Sequence, residues 1–441
     1  MTTSSGNRDE GLVRVIGTGA LGLGVINLVV GGGIFALPGL VAAELGSGAI
    51  IAYIICSITV ALIFLCFAEV GSRVSRSGGS YAYVEEAFGK FPGFIASILF
   101  WFGFSALADA AITVFMVDSL AVVIPVLKST LPRAAFIILL LAFLTIVNVR
   151  GVKGGVRLYV FNTLIKLVPL VLLVIAGLFV IDFQNLAIPE WPSAANIGAG
   201  TILLFYAFNG AESALNASGE IKNSAKVVPL GLLFGLSGVL LLYVGLQTVS
   251  QGVLGADLAT NTVAPLVAVA TEVFGDWGGK MLIAAVVMSI YSNLSGDMLG
   301  APRVIFASAL DENLPKSLAK VHPKYKTPHI AIIFFATVIG VFALSGTFKY
   351  LAVVATGSLL LVDLGVIFAV LRLRQVHGMP KPGEFKLPFG PIIPLLSSVF
   401  VIWLLFQMPL GEATTVGALI GACVLFYFAR SGFRKRRSAA A

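Results

Sequence analysis

Charged residues are scarce in this chain: Asp, Glu, Lys and Arg make up 11% of its 441 residues. Hydrophobic residues make up 58%, and the mean hydropathy is +1.00. Because a soluble domain carries about 25% charged residues, this balance excludes an ordinary soluble protein. Long apolar runs follow one another along the chain, and they predict a polytopic membrane protein instead.

Cysteine and histidine are also sparse, with three residues of each. Cys56, Cys66 and Cys423 lie inside apolar runs and form no CxxC pair, which argues against disulfides and metal ligands. The sequence has no HExxH motif, no phosphate-binding loop and no Ser, His and Asp set at membrane depth. We therefore expect no metal, no cofactor and no enzymatic activity.

Apolar runs of spanning length can be drawn twelve times. About 20 helical residues cross the hydrocarbon core, because each residue rises about 1.5 Å along the axis. The predicted spans have approximate boundaries 18–43, 48–71, 93–122, 134–150, 158–181, 197–218, 229–250, 278–300, 329–346, 350–372, 388–408 and 414–430. An even number of spans places both termini on the same side.

Lys and Arg are distributed unequally between the two sides. Of the 29 in the chain, 24 fall in stretches on the side of the termini, four fall on the other side and Lys166 lies within a span. The positive-inside rule then predicts a multi-pass protein of the cytoplasmic (inner) membrane with both termini cytoplasmic. It also explains the net charge of +8 by orientation in the lipid bilayer, and we expect no nucleic-acid partner.

Span one contains three consecutive glycines at its centre, Gly31, Gly32 and Gly33. Each glycine costs a helix about 1 kcal/mol relative to alanine. Unwound backbone at membrane depth is tolerated only where it is buried in protein or lines a wet cavity.

Span six is interrupted in the same way at Asn209-Gly210. Breaks in corresponding spans of two halves, spans 1–5 and 6–10, predict a substrate site at mid-membrane. Close helix packing at these glycines is the alternative explanation.

Several longer stretches resemble amino acid permeases of the amino acid–polyamine–organocation (APC) superfamily. They are GGGIFALPG, CFAEVGSRVSRSGGSYAYVEEAFG, FYAFNGAESALNASGEIKNSAKVVP and APRVIFASALDENLPKSLAKVHPKYKTP. The resemblance implies an all-α fold of 12 transmembrane helices, a leucine-transporter-like 5+5 inverted repeat with broken helices 1 and 6, plus two C-terminal helices. Residues 1–441 would form one permease domain, with repeats at about 18–181 and 197–372 and accessory helices at 388–430.

The resemblance also implies roles at the breaks. The substrate carboxylate would be held by backbone N–H groups of Gly32, Gly33 and Ile34, which suits the positive end of a half-helix. The substrate ammonium would be held by carbonyl groups of Val29, Tyr206 and Asn209, and Tyr206 would close over the substrate. Similar permeases often have serine where this chain has Gly32, so one side-chain hydroxyl is missing here.

Four ionisable residues within spans complete the predicted site. Lys166 lies about 12 Å into span five. The resemblance implies that its ammonium replaces a sodium ion and braces span one against span eight, and it could also carry a coupling proton. The structural alternative is that the side chain extends to the membrane surface. Glu212 follows the second break and serves gating or structural pairing. Asp109 and Asp297 leave three alternatives open: both bind a cationic substrate side chain, one of them pairs with Lys166, or Asp109 only forms a hydrogen bond with another helix.

Together these residues predict a sodium-independent secondary transporter of amino acids that works by alternating access. Proton symport and exchange both stay open, as do cationic and small neutral substrates. A polyamine or an amino acid/amine exchanger is the alternative, and a channel is more remote because two isolated breaks do not form a continuous polar lumen. The sequence allows a monomer or a homodimer.

Overall fold

The computed structural model describes residues 16–74, 79–151, 156–215, 221–310, 314–381 and 383–439. Three of the permease-like stretches therefore lie partly outside the described residues, at 75–78, 216–220 and 311–313. Within the described ranges the chain is helical and contains no named strand; a single isolated bridge pairs Ile16 with Ile221.

The helices follow the apolar runs of the sequence. Their bounds are α1 Thr18–Val29, α2 Gly33–Leu45, α3 Ala49–Arg73, α4 Gly79–Phe88, α5 Lys90–Val123, α6 Thr130–Arg150, α7 Val156–Gly177, α8 Ala194–Phe208, α9 Ala211–Ala214, α10 Ser224–Leu254, α11 Pro265–Phe274, α12 Asp276–Leu310, α13 His329–Ser345, α14 Phe348–His377, α15 Ile392–Phe406 and α16 Leu410–Ala439. The short helix α11 lies between predicted spans seven and eight and is covered by neither of them.

Seven helical segments in the described ranges are long and apolar enough to cross a membrane. They are Gly33–Arg73, Lys90–Val123, Thr130–Arg150, Ser224–Thr260, Asp276–Leu310, Phe348–His377 and Leu410–Arg430. Shorter apolar helices, α1, α8, α13 and α15 among them, lie between these segments. The chain is thus an all-helical, multi-pass membrane protein.

Helix α5 departs from regular α-helical geometry in its N-terminal half. Residues Leu99–Ala106 form a π-helical segment, and α-helix resumes at Leu107 just before Asp109. Such wide turns are rare and occur often at functional sites. Here the segment sets the direction in which the following turn presents Asp109.

An ion-pair cluster joins the C-terminal ends of α3 and α14. Arg374 donates two hydrogen bonds to the fully buried Glu69, at 2.7 and 2.6 Å. The backbone N–H of Leu387 donates to the same carboxylate at 2.8 Å. Arg73 approaches Glu69 at 3.8 Å and donates to the Gly378 carbonyl at 2.9 Å. The cluster therefore fixes α3, α14 and the segment before α15 to one another.

Candidate functional site

The first break lies between α1 and α2, where the glycine run predicted it. Helix α1 ends at Val29, and α2 begins at Gly33 with Gly32 as its N-cap. The N–H of Phe35 donates to the Gly32 carbonyl at 3.2 Å. The N–H groups of Gly32, Gly33 and Ile34 lie at the start of the helix, where no carbonyl of α2 can accept from them. Since all three residues are buried, these N–H groups and the helix dipole favour an anion.

The second break follows α8 and lies directly against the first. Gly210 adopts φ +118°, and a Cβ there would lie 2.8 Å from the Leu28 carbonyl oxygen, so only glycine fits. The N–H of Asn209 donates to the Tyr206 carbonyl at 3.4 Å. Glu212 accepts a hydrogen bond from the Gly210 N–H at 2.9 Å. The carboxylate of Glu212 thus pairs with the backbone of the break.

Tyr243 on α10 connects the two breaks, and sequence reasoning missed it. Its buried hydroxyl lies 3.0 Å from the Val29 carbonyl and 2.9 Å from the Ala207 carbonyl. Because a hydroxyl has one hydrogen to donate, only one of these carbonyls can accept it at a time. A tyrosine within the apolar run LLLYVGLQ was the available signal, but its direction could not be read from the sequence.

The side chain of Lys166 lies between α1 and α12. The residue is fully buried on α7, and its ammonium donates to the Asn27 carbonyl of α1 and, at 3.4 Å, to Oδ1 of Asn293 on α12. A Cβ at Gly31 would meet the amide of the same Asn293. The ammonium therefore links α1 to α12 beside the first break instead of extending to the membrane surface.

Asp109 and Asp297 are brought together from α5 and α12. Their carboxyl groups lie close enough to interact electrostatically with each other and with Tyr206, and Asp297 is partly exposed. Asp109 is 1% exposed, and its Oδ2 has no hydrogen-bond partner among the residues that the structure describes. The two carboxyls face each other, while the ammonium of Lys166 is directed to Asn27 and Asn293.

Tyr206 packs against the first break, where a Cβ on Gly33 would lie 3.0 Å from its Cδ1, and Phe348 packs against Tyr206. The Tyr206 hydroxyl donates to the Ala108 carbonyl of α5 at 2.9 Å. Its ring meets Phe348 edge-on with 5.7 Å between centroids, and Phe348 in turn packs against Phe115 at 5.6 Å. We call Tyr206, Phe348 and Phe115 the aromatic lid. Phe348 and Phe115 were not predicted as site residues.

Ile112 explains why this chain has glycine at position 32. A Cβ on Gly32 would lie 2.7 Å from Cγ2 of Ile112 and 3.1 Å from Cγ1 of Ile290. The volume that a serine side chain would need is thus filled by Ile112. A larger residue at position 32 requires either the break or Ile112 to move.

We expect Gly32→Ala to lower substrate affinity by about tenfold, because overpacking costs about 1–3 kcal/mol. The double variant Gly32→Ala/Ile112→Ala should recover most of the loss, since the truncation of Ile112 removes the clash. Substrate-induced thermal stabilisation of the purified protein measures both affinities. If the double variant binds no better than Gly32→Ala alone, the contact with Ile112 is not the cause.

Comparison with known proteins identifies the family of this chain. The amino acid permease family model matches residues 19–429. The serine/threonine exchanger SteT of Bacillus subtilis is 31% identical over 404 residues, covering 89% of this chain and 91% of that protein. The branched-chain amino acid permease BcaP of Bacillus subtilis is 27% identical and covers 96% and 94% of the two chains. The arginine/agmatine antiporter of Chlamydia pneumoniae is 24% identical and covers 93% and 89%.

These relatives are transport proteins and not enzymes. The match extends over nearly the whole chain and includes both helix breaks. It confirms the resemblance that the glycine run, the second break and the intervening stretches indicated. The chain belongs to the amino acid permease family.

Proposed function

We propose that the protein carries an amino acid across the cytoplasmic membrane by alternating access, without sodium. The observation that supports this most is the pair of contacting breaks. The first presents the N–H groups of Gly32, Gly33 and Ile34, which suit a carboxylate. Carbonyls at the ends of α1 and α8, on Val29, Tyr206 and Asn209, suit an ammonium. An α-amino acid carries both groups on adjacent atoms.

The proposed architecture has twelve spans in one permease domain, 1–441, with both termini cytoplasmic. Spans 1–5 and 6–10 form the inverted repeat, and 388–430 contribute the two accessory helices. Spans 1, 2, 6 and 7 rock against spans 3, 4, 8 and 9, while the aromatic lid opens and closes the outer side. The contact of the Tyr206 hydroxyl with Ala108 supports this, because it joins span six to span three.

Lys166 takes the place that a coupling sodium ion would occupy. Its ammonium supplies a fixed positive charge against the Asn27 carbonyl and Asn293. A protein with this arrangement needs no sodium to order the first break. Coupling then falls to a proton or to a second amino acid that travels in the opposite direction.

The carboxyl pair of Asp109 and Asp297 favours a cationic side chain over a small neutral one. Asp109 is buried and Asp297 is partly exposed, and two neighbouring carboxylates repel each other unless a cation lies between them. A side-chain ammonium or guanidinium can supply that positive charge. The arginine/agmatine antiporter among the relatives accords with this choice, whereas the serine/threonine exchanger and the branched-chain permease accord with a neutral substrate.

Uptake into proteoliposomes tests the proposal, with radiolabelled lysine, arginine, alanine and leucine as the probes. The assay is run with and without an inward proton gradient, and with and without internal amino acid. We expect saturable, sodium-independent uptake of arginine or lysine that falls at least about tenfold in Asp109→Asn or Asp297→Asn, as expected when a buried charge pair is broken. Asp118→Asn, which removes a partly exposed partner of Arg133, should transport normally.

Each alternative gives a different result in the same assay. Transport of alanine or leucine alone, unaffected by the two substitutions, would contradict the cationic substrate. Uptake that requires internal amino acid and ignores the proton gradient identifies an exchanger. Non-saturable flux with single-channel conductance would contradict the transporter proposal as a whole.

A further inference from the structure

A row of polar side chains continues from Tyr243 along α10 toward its outer end. Gln247, Ser250 and Gln251 follow Tyr243 at intervals of four, seven and eight residues, so all four lie on one helix face. Their exposed fractions are 1%, 0% and 6% for Gln247, Ser250 and Gln251. Three buried polar residues on one face of a membrane-spanning helix need hydrogen-bond partners.

Protein groups supply few of those partners. Both amide atoms of Gln247, the Ser250 hydroxyl and Oε1 of Gln251 have no hydrogen-bond partner within the described ranges. Only Nε2 of Gln251 is bonded, to the carbonyls of Asn185 at 3.2 Å and Gly255 at 3.1 Å. An unsatisfied buried polar group costs about 1–3 kcal/mol, and ordered water usually removes that cost.

The outer end of this row opens into a cavity of about 470 Å³. Gln251 forms part of its wall, together with the end of α2 near Gly46 and the loop that contains Asn185 and Glu190. Since one water occupies about 30 Å³ in the liquid, the cavity has room for several waters. Water in the cavity can reach the side chain of Gln251 directly.

The inner end of the row reaches both helix breaks. The Tyr243 hydroxyl contacts the Val29 and Ala207 carbonyls, one turn from Gln247. Tyr53 of α3 lies close enough to interact electrostatically with Tyr243, and its buried hydroxyl also has no partner in the part of the chain that the structure describes. Unpaired polar groups thus extend from the outer cavity to the carbonyls at the breaks.

The opposite face of α10 is apolar and closely packed against α7. A Cβ on Gly177 would clash with the side chain of Val249, and one on Gly245 would lie 3.0 Å from Cγ1 of Val174. Helix α10 therefore has a dry face toward α7 and a polar face that leads to the breaks. This contrast on a single helix gives a matched control for every residue of the polar row.

We propose that Gln247, Ser250 and Gln251 line a file of bound water that connects the outer cavity with Tyr243. The file reaches the breaks from outside without passing the aromatic lid. Because the Tyr243 hydroxyl can donate to only one of the Val29 and Ala207 carbonyls at a time, water in the file supplies a donor to the other. At Val29 this water would replace the substrate ammonium when it leaves, a role that rests on the proposed function, whereas the file itself does not depend on which amino acid is carried.

Cysteine accessibility in the full-length protein tests the file. In a background of Cys56→Ala, Cys66→Ala and Cys423→Ala, single cysteines replace Gln247, Ser250 and Gln251, and Val249→Cys is the control on the dry face. A small charged methanethiosulfonate is applied from the outside of proteoliposomes. We expect the three polar-face cysteines to react at least about tenfold faster than Val249→Cys, because only a hydrated thiol forms the reactive thiolate readily. Slow reaction at position 247, equal to that at 249, would overturn the proposal.

A second measurement covers variants that fail to fold. Gln247→Leu removes both unpaired amide atoms, which would stabilise the protein if the site were dry. We expect the apparent Tm to fall or stay unchanged, because the leucine forfeits hydrogen bonds to water. A clear rise in Tm would contradict the file. Neither readout requires transport, so failure of the water file is distinguished from failure of the proposed function.

Discussion

Lys166→Met is expected to abolish uptake while the protein still folds and inserts. The substitution keeps the length of the side chain but removes the donor to the Asn27 carbonyl and to Asn293. A buried acceptor left without a partner costs about 1–3 kcal/mol, and α1 loses its polar link to α12 beside the first break. Since about 1.4 kcal/mol is a factor of ten, we expect substrate affinity to fall by roughly 10–100-fold.

Lys349→Met is the matched control, because that ammonium is half-exposed and pairs with Glu44 at the end of α2. It should transport at the wild-type rate. Elution of both variants as single species in size-exclusion chromatography verifies folding, and substrate-induced thermal stabilisation measures affinity. Normal transport by Lys166→Met would show that the brace is dispensable and that the first break is ordered by other contacts.

Glu69→Gln is expected to destabilise the folded protein strongly. The fully buried Glu69 carboxylate neutralises Arg374, whose side chain is 9% exposed. Together with Glu384 it also neutralises Arg73, which is 8% exposed. Removing one partner of a buried ion pair costs about 3–5 kcal/mol, because the other charge is left uncompensated. For a chain of this length we expect the apparent Tm to fall by roughly 3–5 °C.

Two variants separate the buried cluster from ordinary surface pairing. Glu44→Gln removes a partly exposed ion pair with Lys349, and we expect a change of at most about 1 kcal/mol. Glu69→Gln/Arg374→Met should recover part of the lost stability, since it removes the stranded charge as well. Thermal unfolding in detergent, monitored by loss of the monodisperse species, measures all three. A Tm for Glu69→Gln equal to that of Glu44→Gln would contradict the argument.

The sequence predicts the parts of the site that depend on rare residue types in an apolar background. Three glycines in one run and Asn209-Gly210 in another mark the two breaks, and the structure ends helices at both places. The lysine within span five stands out as a functional candidate, whereas its role as a brace is implied only by the resemblance to permeases. Charge and hydropathy likewise suffice for an all-helical membrane protein, because the bilayer permits few alternatives.

Other parts of the site depend on which helices pack together, and helical periodicity does not give that. The periodicity of a single helix does not tell which neighbouring helix meets Tyr243, Ile112 or Phe348. Their roles follow from which helices pack together, and that is a tertiary property. The mutual contact of Asp109 and Asp297 could not be predicted for the same reason, since about 190 residues separate them along the chain.

The π-helical segment Leu99–Ala106 makes the register of α5 depend on one residue. A wide turn accommodates one residue more than an α-helical turn does, and each residue rotates the following helix by about 100°. Deletion of a single residue between Leu99 and Ala106 would convert the π-helical segment into regular α-helix. Asp109 and Ile112 would then be rotated away from their present neighbours, although neither residue is substituted. Alignments of relatives across α5 should therefore be gapped at this segment wherever the wide turn is absent, because an ungapped alignment would pair Asp109 with a residue on another face.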